Sequence, residues 1–399
     1  MTRSQEIIAK SEKYLAHNYK PLPFAIVRGH GVWVWDADGK KYLNMTSTYS
    51  ADALGELDSR VIQAANIQLT RLANIGRFVY NDRLADFAEA IANLTGMDKV
   101  LPKNTGTEAV ESAILIARKR GYLRKGGVEE NKAEIITCID NFHGRTMGSR
   151  SASSTREYRK MFGPLADGFK WVRFGDSNAL EKAITSNTVA FLVEPVLGEG
   201  GFIFPPPGYF REVRRICSEH NVLLVFDEVQ TGLGRTGYDF AFEHEDIRPD
   251  LLIMAKALGG GVGTISAVAG PREFMDVIES GDDGSTFGGN PFACACALEF
   301  LSILKEDKLS ENAMAMGNYF IPKLKEIESP WIKEVRGRGL MIGIELKKEA
   351  GGARQFCEEL CHNGILCYYT HENVIRLSPP LIITKEQIDW ALERIKRVL

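Results

Sequence analysis

The sequence predicts an α/β protein: a large domain on a mostly parallel sheet covered by helices, with an N-terminal arm and a smaller α+β domain at the C-terminal end. Two observations carry this. From about Arg60, short runs that are apolar throughout alternate with stretches of helical period. Strands without a polar face belong in a sheet buried on both sides, and helices between them make it parallel. Beyond Gly289-Asn290-Pro291 the alternation gives way to shorter mixed elements. The 399 residues leave room for two or three domains of ~100–200 residues.

In chain order, residues 1–49 form the N-terminal segment. It holds a polar helix (about Ser4 to His17), the turn Lys20-Pro21-Leu22-Pro23, and a hairpin of 31–36 with 41–44 around Ala37-Asp38-Gly39. Residues 50–294 form the large domain. Its helices are expected near 60–74, 83–95, 107–123 and 208–220, and its strands near 134–139, 189–193, 222–227, 251–255 and 265–269. Residues 295–399 form the small domain. A long helix from Pro291 to about Lys305 leads into it, followed by strands 341–346, 366–370 and 375–377 and helices 353–362 and 385–397.

Composition narrows the function classes. A net charge of -3 with 25% charged residues gives no attraction to nucleic acid or to an anionic membrane. No apolar run reaches the ~20 residues that a membrane span needs. The opening Met1-Thr2-Arg3-Ser4-Gln5-Glu6 lacks an apolar signal core. Seven cysteines and seven histidines show no metal-ligand spacing, so no metal is expected. Thiols in a reducing compartment place the chain in the cytoplasm.

The run Leu251-Leu252-Ile253-Met254-Ala255-Lys256 is the most telling. A lysine closing a buried strand must find a carboxylate or lose its charge, and a neutral amine is a nucleophile. Asn221-Val222-Leu223-Leu224-Val225-Phe226-Asp227 is a second buried strand, ending in an acid. The two ends lie twenty-nine residues apart, room for one excursion between neighbouring strands. Ligands of open parallel sheets bind at the carboxyl ends of the strands. Pyridoxal phosphate needs this pair: a lysine for its aldehyde and a carboxylate for its pyridinium nitrogen. A structural ion pair explains the two residues as well.

Other strand ends add candidates. Thr105-Gly106-Thr107-Glu108 opens a helix, as a capping box or as a phosphate cradle. In Asn141-Phe142-His143-Gly144-Arg145, Phe142 can stack on a planar ring and Arg145 can clamp a carboxylate. Glu194 and Glu199 stand in a glycine-rich stretch beyond a further strand, facing a ligand. Val229 can pack on the face of a ring whose hydroxyl Gln230 can bond.

The stretch Phe226-Asp227-Glu228-Val229-Gln230-Thr231-Gly232 with Lys256 resembles the class III aminotransferase signature of the fold type I pyridoxal-phosphate enzymes. The matching parts run from Asn18 to Pro380. His17 to Pro23, Ser47 to Ala51, Val100 to Gly106, Gly284 to Pro291 and Ile375 to Leu381 are most similar to the family's ornithine aminotransferase branch. The resemblance implies a homodimer acting on L-ornithine and 2-oxoglutarate with pyridoxal 5′-phosphate. By it, Gly106 and Thr107 hold the phosphate, and Ser285 and Thr286 reach it across the subunit interface. Phe142 stacks on the ring, Asp227 pairs with its nitrogen, and Lys256 carries it. Tyr19 and Tyr49 hold the α-end of ornithine, while Arg376 and Arg145 bind the oxo acid's two carboxylates and Glu199 masks Arg376 in the ornithine half-reaction. The alternatives are relatives acting on N-acetylornithine, 4-aminobutyrate or lysine, which generally lack an aromatic at the position of Tyr49, or an aminomutase or racemase of the same fold. Two departures stand out. Gly55-Glu56-Leu57-Asp58-Ser59-Arg60 replaces a usual Gly-His-x-His-Pro, and Gly261-Val262-Gly263-Thr264-Ile265 lacks a proline.

Overall fold

A computed structural model describes residues 1–399, the side chains of Arg156 and Tyr158 excepted. Its centre is a seven-stranded sheet in the order Lys99–Lys103, Ser266–Gly270, Leu251–Met254, Leu223–Asp227, Thr188–Val193, Glu134–Cys138, Phe169–Val172. All pairings are parallel except those of Ser266–Gly270, which runs antiparallel to both neighbours. The sheet is therefore mostly parallel, as its apolar runs predict.

Alternation along each strand builds two cores. Leu223 and Val225 pack with Leu251, Ile253 and Val268 against Ala109, Val110, Ala113 and Ile116 of helix Gly106–Arg120. Leu224 and Phe226 point the other way, into the larger cluster holding Phe210, Val213 and Ile216 of helix Tyr209–Glu219. Each inward Leu, Ile or Phe stabilises the fold by roughly 1.5–3 kcal/mol on full burial. Helices on both faces leave the strand ends as the open edge of the domain.

The expected elements are present, with differences that have physical reasons. Helix 60–74 stops at Leu69, and strand 366–370 divides at Cys367. Its first part, Ile365–Leu366, pairs in parallel with Lys41–Asn44, so the C-terminal part completes the N-terminal four-stranded sheet. Its second part, Tyr368–Thr370, joins Ile332–Arg338, Met341–Leu346 and Val374–Leu377 in an antiparallel sheet. Strands Lys99–Lys103 and Phe169–Val172 have no apolar run to reveal them because they are the two edges, where lysine and Pro102 are tolerated. Helix Leu309–Lys325 is hidden by Gly317 and Pro322 inside it.

Candidate functional site

Strands Leu223–Asp227 and Leu251–Met254 lie side by side, with Asp227 opposite Ile253. Both then leave the sheet into a cavity of about 530 Å³ lined by Lys256, Asp227, Phe142, Val229, Gln230 and Gly106, among others. Lys256 begins a single 3₁₀ turn, Lys256–Gly259, at φ +48°. A left-handed lysine is a strained one, and such strain gathers at functional positions. Burial pulls its amine below the ordinary lysine value, against the opposing pull of the Glu199 and Asp227 carboxylates.

Asp227 is 5% exposed. One oxygen accepts the Val229 amide at 3.1 Å, and the other lies 2.7 Å from Nδ1 of His143. An ionised carboxylate only accepts, so Nδ1 carries the proton. The far nitrogen, Nε2, is buried without a partner among the described residues. Sequence reasoning gave His143 no role. Its partner lies 84 residues away, and no local pattern announces such a contact.

Glu194 directly follows strand Thr188–Val193, at the cavity wall. Its oxygens accept the amides of Phe142 at 2.9 Å and Gly198 at 3.1 Å, tying two loops that border the site. Burial pushes its carboxyl up to about 7, with His143 opposing and Asp227 adding to the rise. The sign follows from linkage: the native state holds this proton more tightly than the unfolded chain does. Its stabilising contribution is complete below the unfolded carboxyl value and is lost as pH rises through about 7. Glu194→Gln should therefore flatten the fall in melting temperature of the cofactor-free protein between about pH 5 and pH 8. An unchanged slope by thermal denaturation counts against a buried, shifted Glu194.

At the other side, the Arg376 side chain is 4% exposed and its guanidinium meets Glu199 Oε1 at 2.8 Å. The Gly198 carbonyl accepts a second bond from it at 3.1 Å. Tyr368, Phe202 and Tyr49 surround that guanidinium, their ring centroids 4.9, 5.2 and 5.8 Å away. Tyr49 stands edge-on to Tyr368, at 5.2 Å between centroids, and is carried by a left-handed turn in which Ser47, Thr48, Tyr49 and Ser50 all have positive φ. Tyr368 and Phe202 are further residues that the sequence did not single out.

The capping box of Thr105 and Glu108 is present, and Gly106 and Thr107 behind it also line the cavity. The Thr107 hydroxyl lies 2.9 Å from those of Thr146 and Ser149, a polar cluster at the helix start. A Cβ on Gly106 would come within 3.0 Å of Val229, so glycine keeps the helix start close to that wall. Arg145 is exposed, with its guanidinium 5.3 Å from the Phe142 ring centroid. Tyr19, 68% exposed, sits at the lip between this cavity and a neighbouring one of about 610 Å³ that holds Tyr49. Ser285 and Thr286 stand apart from the cavity lining, and the Ser285 hydroxyl accepts from Asn104 at 2.9 Å. Among the described residues no group of three or more metal-ligating side chains is assembled, and no helix is long and apolar enough to cross a membrane.

The family described as Aminotransferase class-III matches residues 14–399. An ornithine aminotransferase of Geobacillus sp. (strain WCH70) is 51% identical over 398 residues, covering 100% of this chain and 99% of its own. The solved ornithine aminotransferase of Toxoplasma gondii, described with partial occupancy of PLP at its active site, superposes with a TM-score of 0.98 at 40% identity, over 100% of this chain and 94% of that one. An acetylornithine aminotransferase from Elizabethkingia anophelis follows at a TM-score of 0.89 and 40% identity, over 100% and 99%.

The residues present fit a pyridoxal phosphate group. The cavity offers a desolvated amine, a buried carboxylate already oriented by a histidine, an aromatic and a β-branched side chain in its wall, and a helix start. A helix start is an anion site by its free amides and dipole. Asp227 keeps one side-chain partner among the printed contacts of the described residues, His143, on the oxygen away from the Val229 amide, which suits a carboxylate that is to pair with a pyridinium.

Proposed function

Because the chain belongs to the class III aminotransferases, we propose that it transfers the δ-amino group of L-ornithine to 2-oxoglutarate, giving glutamate 5-semialdehyde and glutamate. Pyridoxal 5′-phosphate is its cofactor, and when bound it supplies the electron sink that stabilises charge at the carbon losing a proton. The remaining work is done by this chain's side chains. Gly106 and Thr107 hold the phosphate with the helix amides. Phe142 and Val229 flank the ring, Asp227 keeps its nitrogen protonated, and Gln230 bonds its hydroxyl. Lys256 holds the aldehyde and, once released, its Nζ takes the proton from the ornithine δ-carbon as general base. Tyr19 and Tyr49 hold the far end of ornithine. Arg376 and Arg145 take the two carboxylates of 2-oxoglutarate, bidentate partners for a guanidinium fork. Glu194 serves the substrate side through the two loops it ties.

The observation that carries the choice of an ω-amine as donor is the pair of Glu199 with the nearly buried Arg376, and within that class the aromatic Tyr49 favours ornithine. An ω-amine brings no carboxylate next to the reacting carbon, and an unmasked buried arginine there is costly. Glu199 supplies the missing charge, then swings aside for the oxo acid. Glu199→Gln should lower use of ornithine and raise use of L-glutamate as amino donor, shifting the ratio of their kcat/KM values by about tenfold or more, on the scale of a lost charge-paired contact. An unchanged ratio removes this role. The proposal as a whole is tested by mixing the yellow holoenzyme with L-ornithine without oxo acid. Bleaching with trapped semialdehyde supports it. A band that bleaches with N-acetylornithine or 4-aminobutyrate but not with ornithine overturns it.

The same reading makes the enzyme a cytoplasmic homodimer, with the partner subunit's Ser285 and Thr286 reaching the phosphate. Seven buried free thiols suit a reducing compartment.

A further inference from the structure

The register of the small antiparallel sheet sets one aromatic ring against Arg376, and neither the sequence motifs nor the mechanism above gives that ring a task. Strand Tyr368–Thr370 runs beside Val374–Leu377 with Tyr368 directly opposite Arg376. Residues paired in this way share a face of the sheet, so the phenol ring lies against the arginine side chain. Across the other neighbouring strand Arg376 faces Gly343, which has no side chain to offer. Phe202 fills that room, 3.6 Å from where a Cβ on Gly343 would stand. Among the described residues the Tyr368 centroid, at 4.9 Å, is the ring nearest the guanidinium. Burial raises the Tyr368 phenol above its ordinary value, so the ring meets the cation uncharged. The two members of the ion pair are unequally free: the Arg376 side chain is 4% exposed and that of Glu199 23%. The Thr370 hydroxyl, two residues along from Tyr368, donates to the Glu199 carbonyl at 2.8 Å. The same short strand thus fixes the backbone of Glu199 while leaving its carboxylate able to turn towards water. Once it turns, Arg376 keeps the Gly198 carbonyl and the rings. A buried cation stripped of its carboxylate is costly. An aromatic face offsets part of that cost and takes none of the in-plane N–H donors that an incoming carboxylate needs.

We infer that Tyr368 is a positioning residue for the oxo-acid half-reaction, its ring holding the Arg376 guanidinium in place while Glu199 is turned away. It thereby lets one site admit a donor with no carboxylate beside the reacting carbon and an acceptor that has one. This rests on the proposed function, in which Glu199 masks Arg376 for ornithine and releases it for 2-oxoglutarate. With the mask in place the ion pair holds the arginine, and the ring adds little. With the mask removed the ring is what keeps the guanidinium aimed at the reacting carbon. The face of the ring does this work, and the hydroxyl has no part in it.

The experiment follows the two half-reactions of the holoenzyme separately, before and after Tyr368→Leu and Tyr368→Phe. Leucine removes the aromatic face, and phenylalanine keeps it. In Tyr368→Leu the half-saturating concentration of 2-oxoglutarate, in the reaction that restores the yellow band, should rise about tenfold more than that of L-ornithine in the reaction that bleaches it. That is the scale of a desolvated cation–π contact. Tyr368→Phe should return the ratio to that of the unaltered enzyme. Equal shifts for the two substrates, as a general loosening of the strand would give, overturn the inference. So does a phenylalanine variant as impaired as the leucine one, which would hand the task to the hydroxyl. Tyr368→Met repeats the comparison where leucine unsettles the strand. A second readout needs no turnover: in calorimetric titration of the yellow holoenzyme with 2-oxoglutarate alone, Tyr368→Leu should bind about tenfold more weakly and Tyr368→Phe as the unaltered enzyme does. Equal binding by all three overturns the inference. If ornithine fails to bleach the unaltered holoenzyme, the proposed function falls, and this titration still decides whether the ring holds Arg376 for a carboxylate.

Discussion

Lys256→Ala should lower the ornithine half-reaction by at least about 10⁴-fold and leave the protein no less stable. The rate loss combines two roles in one amine. General acid–base catalysis alone is worth roughly 10²–10⁴-fold, and the covalent hold on the cofactor adds to it. Lys256→Arg should be nearly as inactive, because a guanidinium stays protonated and can act neither as base nor as nucleophile at neutral pH. The stability half of the expectation comes from the site's geometry. Lys256 is left-handed, and its amine is desolvated enough to fall below the ordinary lysine value. Alanine keeps the backbone strain but removes the buried amine, so thermal denaturation of the cofactor-free variant should match or exceed the parent. Single-turnover bleaching with ornithine and a melting curve check both halves. Appreciable proton transfer in Lys256→Ala would hand the base to another residue.

The parts of this site that sequence could show are those a short stretch encodes. Asp227 and Lys256 each close a run of side chains apolar on both faces, and such runs are central strands by necessity. Their adjacency then follows from the length of chain between them. Edge strands gave no such signal, because Lys99–Lys103 has to satisfy water on one side and carries Pro102. Contacts across the fold were invisible from the residues alone. His143 meets Asp227 across 84 positions, and Asp52 meets Gly261 only because the left-handed turn 47–50 folds back onto the loop after Lys256. The pairing of Arg376 with Glu199, 177 positions apart, came from family resemblance, since nothing local distinguishes that arginine from a surface one.

Asp227→Asn should cost about 10²–10⁴-fold in the same half-reaction, with the loss shared unequally with His143. Asparagine preserves volume and can still accept the Val229 amide, so the loop should stay in place. What goes is the negative charge that holds a proton on the ring nitrogen, and without that proton the ring withdraws electrons poorly from the reacting carbon. His143 cannot replace it. The imidazole touches the carboxylate, not the reacting centre, and orients it by the 2.7 Å bond from Nδ1. It is therefore a positioning residue, and His143→Gln alone should cost less, on the order of tenfold. Because it works through Asp227, the double variant should be no slower than Asp227→Asn by itself, a coupling that a double-mutant cycle measures directly. Pyridoxal phosphate affinity, followed by titrating the yellow band, should weaken in Asp227→Asn and change much less in His143→Gln. Fully additive losses would mean that the histidine acts on its own account, through the buried Nε2 that faces away from the carboxylate.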